Sequence, residues 1–181
     1  MLDRRSFLFG AAALLGAAGA AAGAASIDPR YEPTRVRYPG YLPGTIVVDT
    51  GRRFLYHVGT GGYATRYGIG VGRQGLVFKG RAIIGRKAKW PTWTPTADMI
   101  ERSPEQYAKY AKGLPGGPKN PLGARALYLF KNGRDTLYRI HGTNDPSSIG
   151  KAVSNGCIRM LNSHVERLYD GVALGAAVVV R

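Results

Sequence analysis

Acidic residues are scarce in this chain: 11 Asp and Glu stand against 26 Lys and Arg, a formal net charge of +15 over 181 residues. Such an excess favours polyanions such as nucleic acid, anionic lipid or an acidic wall polymer. The sequence has no zinc finger, basic-leucine helix or RNA-binding aromatic signature. Its basic residues are scattered and form no block, which suits a generally cationic surface and argues against nucleic acid as the partner. A solubilising charge with no partner is the competing explanation. Cysteine is nearly missing. With Cys157 alone, an intramolecular disulfide is impossible, and an unpaired thiol requires an explanation if the protein is exported. Neither βαβ alternation nor an internal repeat is visible, so a doubly wound parallel sheet is not expected. The length suits one domain with a proper core.

An export signal is expected at the N-terminus. Arg4 and Arg5 precede a run of Ala, Gly and Leu from Phe7 to Ala25 that ends in small residues. This is a charged n-region, an apolar h-region and a small-residue cleavage site. The Arg-Arg-Ser-Phe-Leu start resembles a twin-arginine signal, with Asp3 and Phe9 departing from the pattern. An uncleaved anchor is the alternative, since about 19 apolar or small residues can just span a bilayer. No cysteine borders the cleavage region, which excludes lipid attachment there. The chain thus divides into residues 1–25 as export signal, 26–44 as a Pro-, Tyr- and Arg-rich extended lead-in, and 45–181 as the folded domain. The destination is the periplasm or cell envelope, with membrane contact only through the signal.

Within the domain the pattern is mostly β. Strands are expected at 45–49, 54–58, 66–71 and 76–86, with the first two joined as a hairpin through Thr50-Gly51. Gly68, Gly70 and Gly72 alternate without a helix start after them, so they read as strand glycines permitting close packing and not as a phosphate loop. Residues 89–99 (KWPTWTPTADM) have no period, and Trp93 is either a wall of a substrate groove or a cover on the core edge. Ser103-Pro104-Glu105-Gln106 predicts a capping box and a helix to about Lys112. Residues 114–123 must be loop. Two strands, 124–130 and 136–140, flank Asn132-Gly133, a strong hairpin signal. A short helix capped by Asn162 or Ser163 follows Met160, and a central strand closes the chain at 176–180. The fold class is therefore a mostly β, sandwich- or barrel-like single domain with two short helices.

The chemistry gathers in residues 141–160, HGTNDPSSIGKAVSNGCIRM. A thiol near its ordinary pKa is little ionised at neutral pH, so a catalytic cysteine needs a base or a positive surrounding. His141 ends a strand, and a glycine-containing loop can return the chain to it at Cys157. In Ser154-Asn155-Gly156-Cys157, the amides of Gly156 and Cys157 are candidates to stabilise an oxyanion. Arg159, on the same side as Cys157 of an extended path, is a candidate for a bidentate grip on a substrate carboxylate. A buried, inert thiol is the bland alternative. His57 and His164 have no nucleophile beside them and are read as structural, and Tyr138 as either a border of the site or core.

His141-Gly142-Thr143 followed by Ser154-Asn155-Gly156-Cys157-Ile158-Arg159-Met160 resembles the active-site motif of the L,D-transpeptidase catalytic domain family (YkuD type). The likeness covers roughly residues 45–181 and includes Trp93-Thr94-Pro95-Thr96 and Asn120-Pro121-Leu122-Gly123. It implies an exported bacterial enzyme of mostly β fold that needs no metal or organic cofactor. Such an enzyme acts on peptidoglycan stem peptides, with another stem, a free D-amino acid or an envelope protein as acyl acceptor. Carried over, Cys157 is the nucleophile and His141 the base, oriented through the backbone at Gly142. Gly156, Asn155, Ser154, Arg159, Thr143 and Trp93 serve the oxyanion or the substrate. Some members carry histidine where this chain has Asn155, which leaves the Cys–His pair intact. A thiol hydrolase on the same scaffold and an inactive wall-binding module are the alternative functions.

Overall fold

Residues 27–181 are described by the structure, a computed structural model; the expected export signal lies outside the described residues. The fold is mostly β. A nine-stranded sheet begins at its edge with β1 (Thr34–Arg37), followed in space by β4 (Tyr63–Gly68), β3 (Phe54–Val58) and β2 (Ile46–Asp49). Next come β11 (Ala177–Val180), β6 (Gly80–Lys89), β7 (Arg125–Lys131), β8 (Arg134–His141) and β10 (Ile158–Arg159). A second, two-stranded sheet pairs β5 (Val71–Gly72) with β9 (Ala152–Ser154).

The final strand is central, as its continuous apolar run implies. Val178, Val179 and Val180 pair in parallel with Ile46, Val47 and Val48 on one side, and β11 lies antiparallel to β6 on the other. Residues 45–49 and 54–58 form the expected hairpin. Asn132-Gly133 turns β7 into β8 with both residues at positive φ, 51° and 75°, the geometry that a two-residue hairpin turn requires. A bridge between Gly70 and Arg159 joins the chain just after β4 to β10 at the far end of the strand order. The sheet therefore curls into a barrel-like wall. Inside it Ile46, Leu55, Ile84, Leu127, Leu129, Ile140 and Ile158 pack against Val165 and Leu168 of α3 (Asn162–Gly171).

Several expectations change. The extended lead-in also contributes a strand: Thr34–Arg37 pairs with β4 and extends the sheet, and Tyr38 stacks on Tyr41 and Tyr56. An exposed four-residue edge strand has no buried face, so it leaves no alternation to read. The strand expected at 66–71 is split into β4 and β5, and residues 76–79 precede β6 instead of joining it. Thr96 caps an unforeseen helix, α1 (Ala97–Arg102), through Met99 N–H at 3.2 Å. The helix after Ser103 is only α2 (Pro104–Tyr107) and a 3-10 turn to Tyr110, and the Ser103 side chain makes no cap hydrogen bond. Neither helix buries a residue, so neither had an apolar stripe to reveal it. Asn162 does not cap α3; its side chain is used elsewhere. The far end of α3 is held by Lys87, whose Nζ donates to the carbonyls of Tyr169 and Val172 at 2.5 and 2.6 Å.

Candidate active site

His141 and Cys157 reach the site on adjoining strands. β8 and β10 run parallel, with Ile158 opposite Ile140 and Arg159 opposite His141. Ile158 and Ile140 point into the core. Side chains alternate along a strand, so Cys157, Arg159, His141 and Arg139 share the opposite face. Register thus puts the thiol, the imidazole and two guanidinium groups on one face, with Arg159 directly opposite His141.

The loop between His141 and Cys157 is fixed along its length. Residues 69–73 run beside it: Gly150 donates to Ile69, Val71 to Lys151, and Arg73 to Ser154. Gly70 and Arg159 exchange both backbone hydrogen bonds, at 2.9 and 2.8 Å. Close approach explains the alternating glycines. A Cβ on Gly72 would lie 2.7 Å from the Gly156 Cα, and one on Gly70 would strike the Ser148 carbonyl. They are packing glycines, as expected from the sequence.

His141 is buried, 4 % exposed. Its Nδ1 lies 2.6 Å from the Gly142 carbonyl, which can only accept, so Nδ1 carries the proton and Nε2 bears the lone pair. Burial, aided by Arg159 and Arg139, lowers its pKa to about 4, against the pull of the Gly142 and Leu122 carbonyls. The imidazole is therefore neutral at pH 7 and able to accept a proton.

Cys157 is half-buried, with its thiol directed to the Leu137 carbonyl at 3.9 Å. Burial pushes its pKa up, opposed by the Arg139 backbone and the Arg139 and Arg159 charges. The resting pair is a neutral thiol and a neutral imidazole. Leu137 stands in a left-handed conformation, φ 64°, within a bulge of β8 where three residues of that strand, 136–138, lie opposite Leu129 of β7. Bulges of this kind re-aim neighbouring groups, and here the carbonyl is turned to the sulfur. Arg139 is held by a bidentate contact with Asp135, at 2.7 and 3.0 Å, and lies over the Tyr128 ring.

Other expected site residues take unexpected roles. Ser154, 2 % exposed, donates to the Cys157 carbonyl at 2.6 Å and accepts the Gly156 amide at 3.2 Å. Its hydroxyl thus clamps the loop, and the Gly156 amide is committed to that clamp and not free for an oxyanion. Among the described residues the Cys157 amide has no hydrogen-bond partner. Gly156, at φ 119°, lies against the Leu76 carbonyl and the Tyr138 ring, 2.6 and 2.7 Å from where a Cβ would stand. That puts Tyr138 at the border of the site. The Thr143 hydroxyl accepts from Asp145 N–H at 3.0 Å, closing a turn, and Thr143 is buried. Arg159 NH1 lies 3.9 Å from Asp145, a loose pairing that leaves donors available.

Among the described residues Trp93 has no hydrogen bond or ring pairing to the thiol loop. It packs edge-on against Tyr107 and Tyr110 and bridges to Leu114. Its link to the site runs through Tyr107, whose hydroxyl accepts from Asn155 Nδ2 at 3.3 Å. The segment between β6 and β7 is pinned by buried Asn120, which donates to the carbonyls of Pro91, Leu114 and Pro115 at 2.9–3.0 Å.

The sequence reading gave Asn162 no site role. Its Oδ1 accepts from Ala124 N–H at 3.0 Å and Thr143 N–H at 3.2 Å, tying the strand entering β7 to the backbone just after His141. Arg139 was missed too, although its place two residues before His141 on the same strand face was a signal. His57 and His164 stand apart: burial depresses the pKa of both, and His164 pairs with Glu32 at 3.3 Å. Among the described residues no three His, Cys, Asp or Glu side chains are grouped to hold a metal. No described helix is long and apolar enough to cross a membrane.

Comparison with known proteins gives the family and the fold. A family model described as the L,D-transpeptidase catalytic domain (YkuD) matches residues 43–180. The "Probable L,D-transpeptidase ErfK/SrfK" of Escherichia coli is 35% identical over 155 residues, 82% of this chain and 47% of that protein. The chain thus spans about half the length of the curated relatives it matches. A crystal structure described as a "Probable carnitine operon oxidoreductase caia" from Brucella melitensis is 55% identical, with TM-score 0.60 over 86% of this chain and 96% of that one. An L,D-transpeptidase from Mycobacterium smegmatis, 16% identical, shares the fold at TM-score 0.52 over 76% of this chain and 58% of that one.

Proposed function

Because the chain belongs to the L,D-transpeptidase catalytic domain family, we propose that it is an exported peptidoglycan L,D-transpeptidase acting through Cys157. The observation that supports this is the strand register that gives Cys157, His141 and Arg159 a common face, with the imidazole neutral and its Nδ1 proton held by Gly142.

The Cys157 sulfur attacks the carbonyl of the diamino acid at position three of a tetrapeptide stem as Nε2 of His141 takes the thiol proton. The developing oxyanion is met by the Cys157 amide, which the Ser154 clamp leaves free by engaging Gly156 alone. Collapse breaks the bond to D-alanine, whose amine receives the proton from His141. An acceptor amine then attacks the thioester, His141 takes its proton, and the sulfur leaves and is reprotonated. The acceptor is a second stem peptide, with an envelope protein as the other candidate. Arg159 grips a carboxylate of the substrate. The expected signal at residues 1–25 and the cationic surface suit work in the periplasm on an anionic wall.

The oxidoreductase description of the Brucella protein is not brought to this chain. Its alternating glycines, which alone could suggest a dinucleotide turn, are filled by Tyr31, Ser148 and Gly156. The test is product analysis after incubation with a disaccharide-tetrapeptide. A cross-linked dimer plus free D-alanine supports transfer. A free tripeptide indicates hydrolysis instead. Absence of both products, or turnover unchanged in Cys157→Ala, refutes the reading.

A further inference from the structure

A cleft of about 270 Å³ opens beside the thiol loop, lined by Arg73, Leu76, Arg102, Gln106, Tyr107 and Asn155. It is built by three parts of the chain. Arg73 and Leu76 come from the turn after β5, which is tied to the loop by the Arg73 N–H to Ser154 bond at 3.0 Å. Arg102, Gln106 and Tyr107 come from α1 and α2, and Asn155 joins the two sides through the Tyr107 hydroxyl. The Leu76 carbonyl also backs Gly156, the residue preceding the nucleophile. The cleft is therefore fixed relative to Cys157.

Its charge is one-sided. Both arginines are without an acidic partner among the described residues, and no carboxylate lines the cleft. Two free guanidinium groups with a phenol and two amides beside them are suited to a carboxylate. Arg159, in contrast, stands opposite His141 in the strand register and is loosely paired with Asp145.

Which carboxylate belongs in the cleft follows from proton transfer. In acylation His141 protonates the leaving amine, and in transfer it deprotonates the incoming one. By microscopic reversibility both amines occupy one place beside His141. The rest of the donor must then extend from Cys157 away from His141. Asn155, which borders the cleft, precedes Cys157 by two residues, and Arg159, which stands opposite His141, follows it by two, so the cleft meets the thiol loop on the Asn155 side of Cys157.

We propose that the Arg73–Arg102 cleft binds a carboxylate on the part of the donor stem that is retained in the acyl-enzyme, N-terminal to the scissile bond. This rests on the transpeptidase reading and divides its substrate between two arginine sites. Arg159 serves the carboxylate of the leaving D-alanine or the acceptor, and the cleft serves the acyl portion.

The test is binding of tetrapeptide by calorimetry to the Cys157→Ala protein, with and without Arg73→Gln and Arg102→Gln. Two analogues are used, one amidated at the carboxylates N-terminal to the scissile bond and one amidated at the terminal D-alanine. The arginine changes should weaken the parent tetrapeptide about tenfold or more, and should leave the internally amidated analogue bound equally well by both proteins. The terminally amidated analogue should still lose affinity when the arginines are replaced. Arg102→Lys should retain part of the discrimination. Equal loss on every peptide, no loss on any, or loss that disappears only with terminal amidation would overturn the proposal while leaving the transpeptidase reading intact. No binding of the parent tetrapeptide would overturn both.

Discussion

Ser154 and Cys157 are joined by a 2.6 Å hydrogen bond from the serine hydroxyl to the Cys157 carbonyl. The same hydroxyl accepts the Gly156 amide, so one buried atom sets the backbone on both sides of the peptide that carries the thiol. Ser154→Ala leaves a buried amide and a carbonyl without partners, at a cost of about 1–3 kcal/mol. We expect acylation by tetrapeptide to slow by about tenfold or more as the Cys157 amide loses its aim, with a clear drop in Tm. An unchanged acylation rate in the folded variant would show that the clamp has no catalytic consequence.

The resting site holds a neutral thiol, because burial raises the Cys157 pKa above its ordinary value. Alkylation by iodoacetamide should therefore be slow at pH 7 and should rise about tenfold per pH unit, without a plateau below pH 9. A plateau reached near neutrality would reveal a preformed thiolate–imidazolium pair and contradict this description.

His141 makes the opposite titration a stability matter. Its folded pKa, about 4, lies below its ordinary 6.5, so between those values the unfolded chain binds the additional proton. Stability from this group is then complete above pH 6.5 and falls as the pH drops toward 4, by on the order of 3 kcal/mol in full. Chemical denaturation from pH 4 to 7 should show this slope in the wild type and lose most of it in His141→Asn. Equal slopes in the two proteins would remove His141 as the cause.

Asn162 bonds two backbone amides, one before β7 and one just after His141. Asn162→Leu should destabilise the fold by about 2–4 kcal/mol and lower kcat of the cross-linking reaction more than it raises KM. Asn162→Asp, which keeps an acceptor oxygen, should recover most of the stability. A variant that loses stability but keeps kcat would limit Asn162 to a scaffold role.

Local chemistry made much of this protein legible. Asn132-Gly133 specified the β7–β8 hairpin that delivers His141, and the apolar run at 176–180 announced a central strand. Exposed short elements were not legible: β1, α1 and α2 bury no face, so no periodicity marks them. Cys157, His141 and Arg159 could be picked out because the loop motif holds all three. Their common face depends on the parallel β8–β10 register, which no local pattern encodes. The partners of several polar side chains were not legible, because they lie far along the chain or within a tight turn. Asn162 looked like a helix cap, Ser154 and Thr143 like substrate contacts, and each is occupied by backbone. Arg73 and Arg102 meet only through folding, at the cleft that Asn155 borders.

The central claim is that Cys157 forms an acyl-enzyme with His141 as its base. Intact-protein mass spectrometry after brief mixing with a disaccharide-tetrapeptide tests it most directly. The account predicts an adduct equal to the donor minus D-alanine, located on Cys157, that is absent in Cys157→Ala and accumulates at least about a hundredfold more slowly in His141→Ala. An adduct on any other residue, or one formed at the wild-type rate without His141, would contradict it.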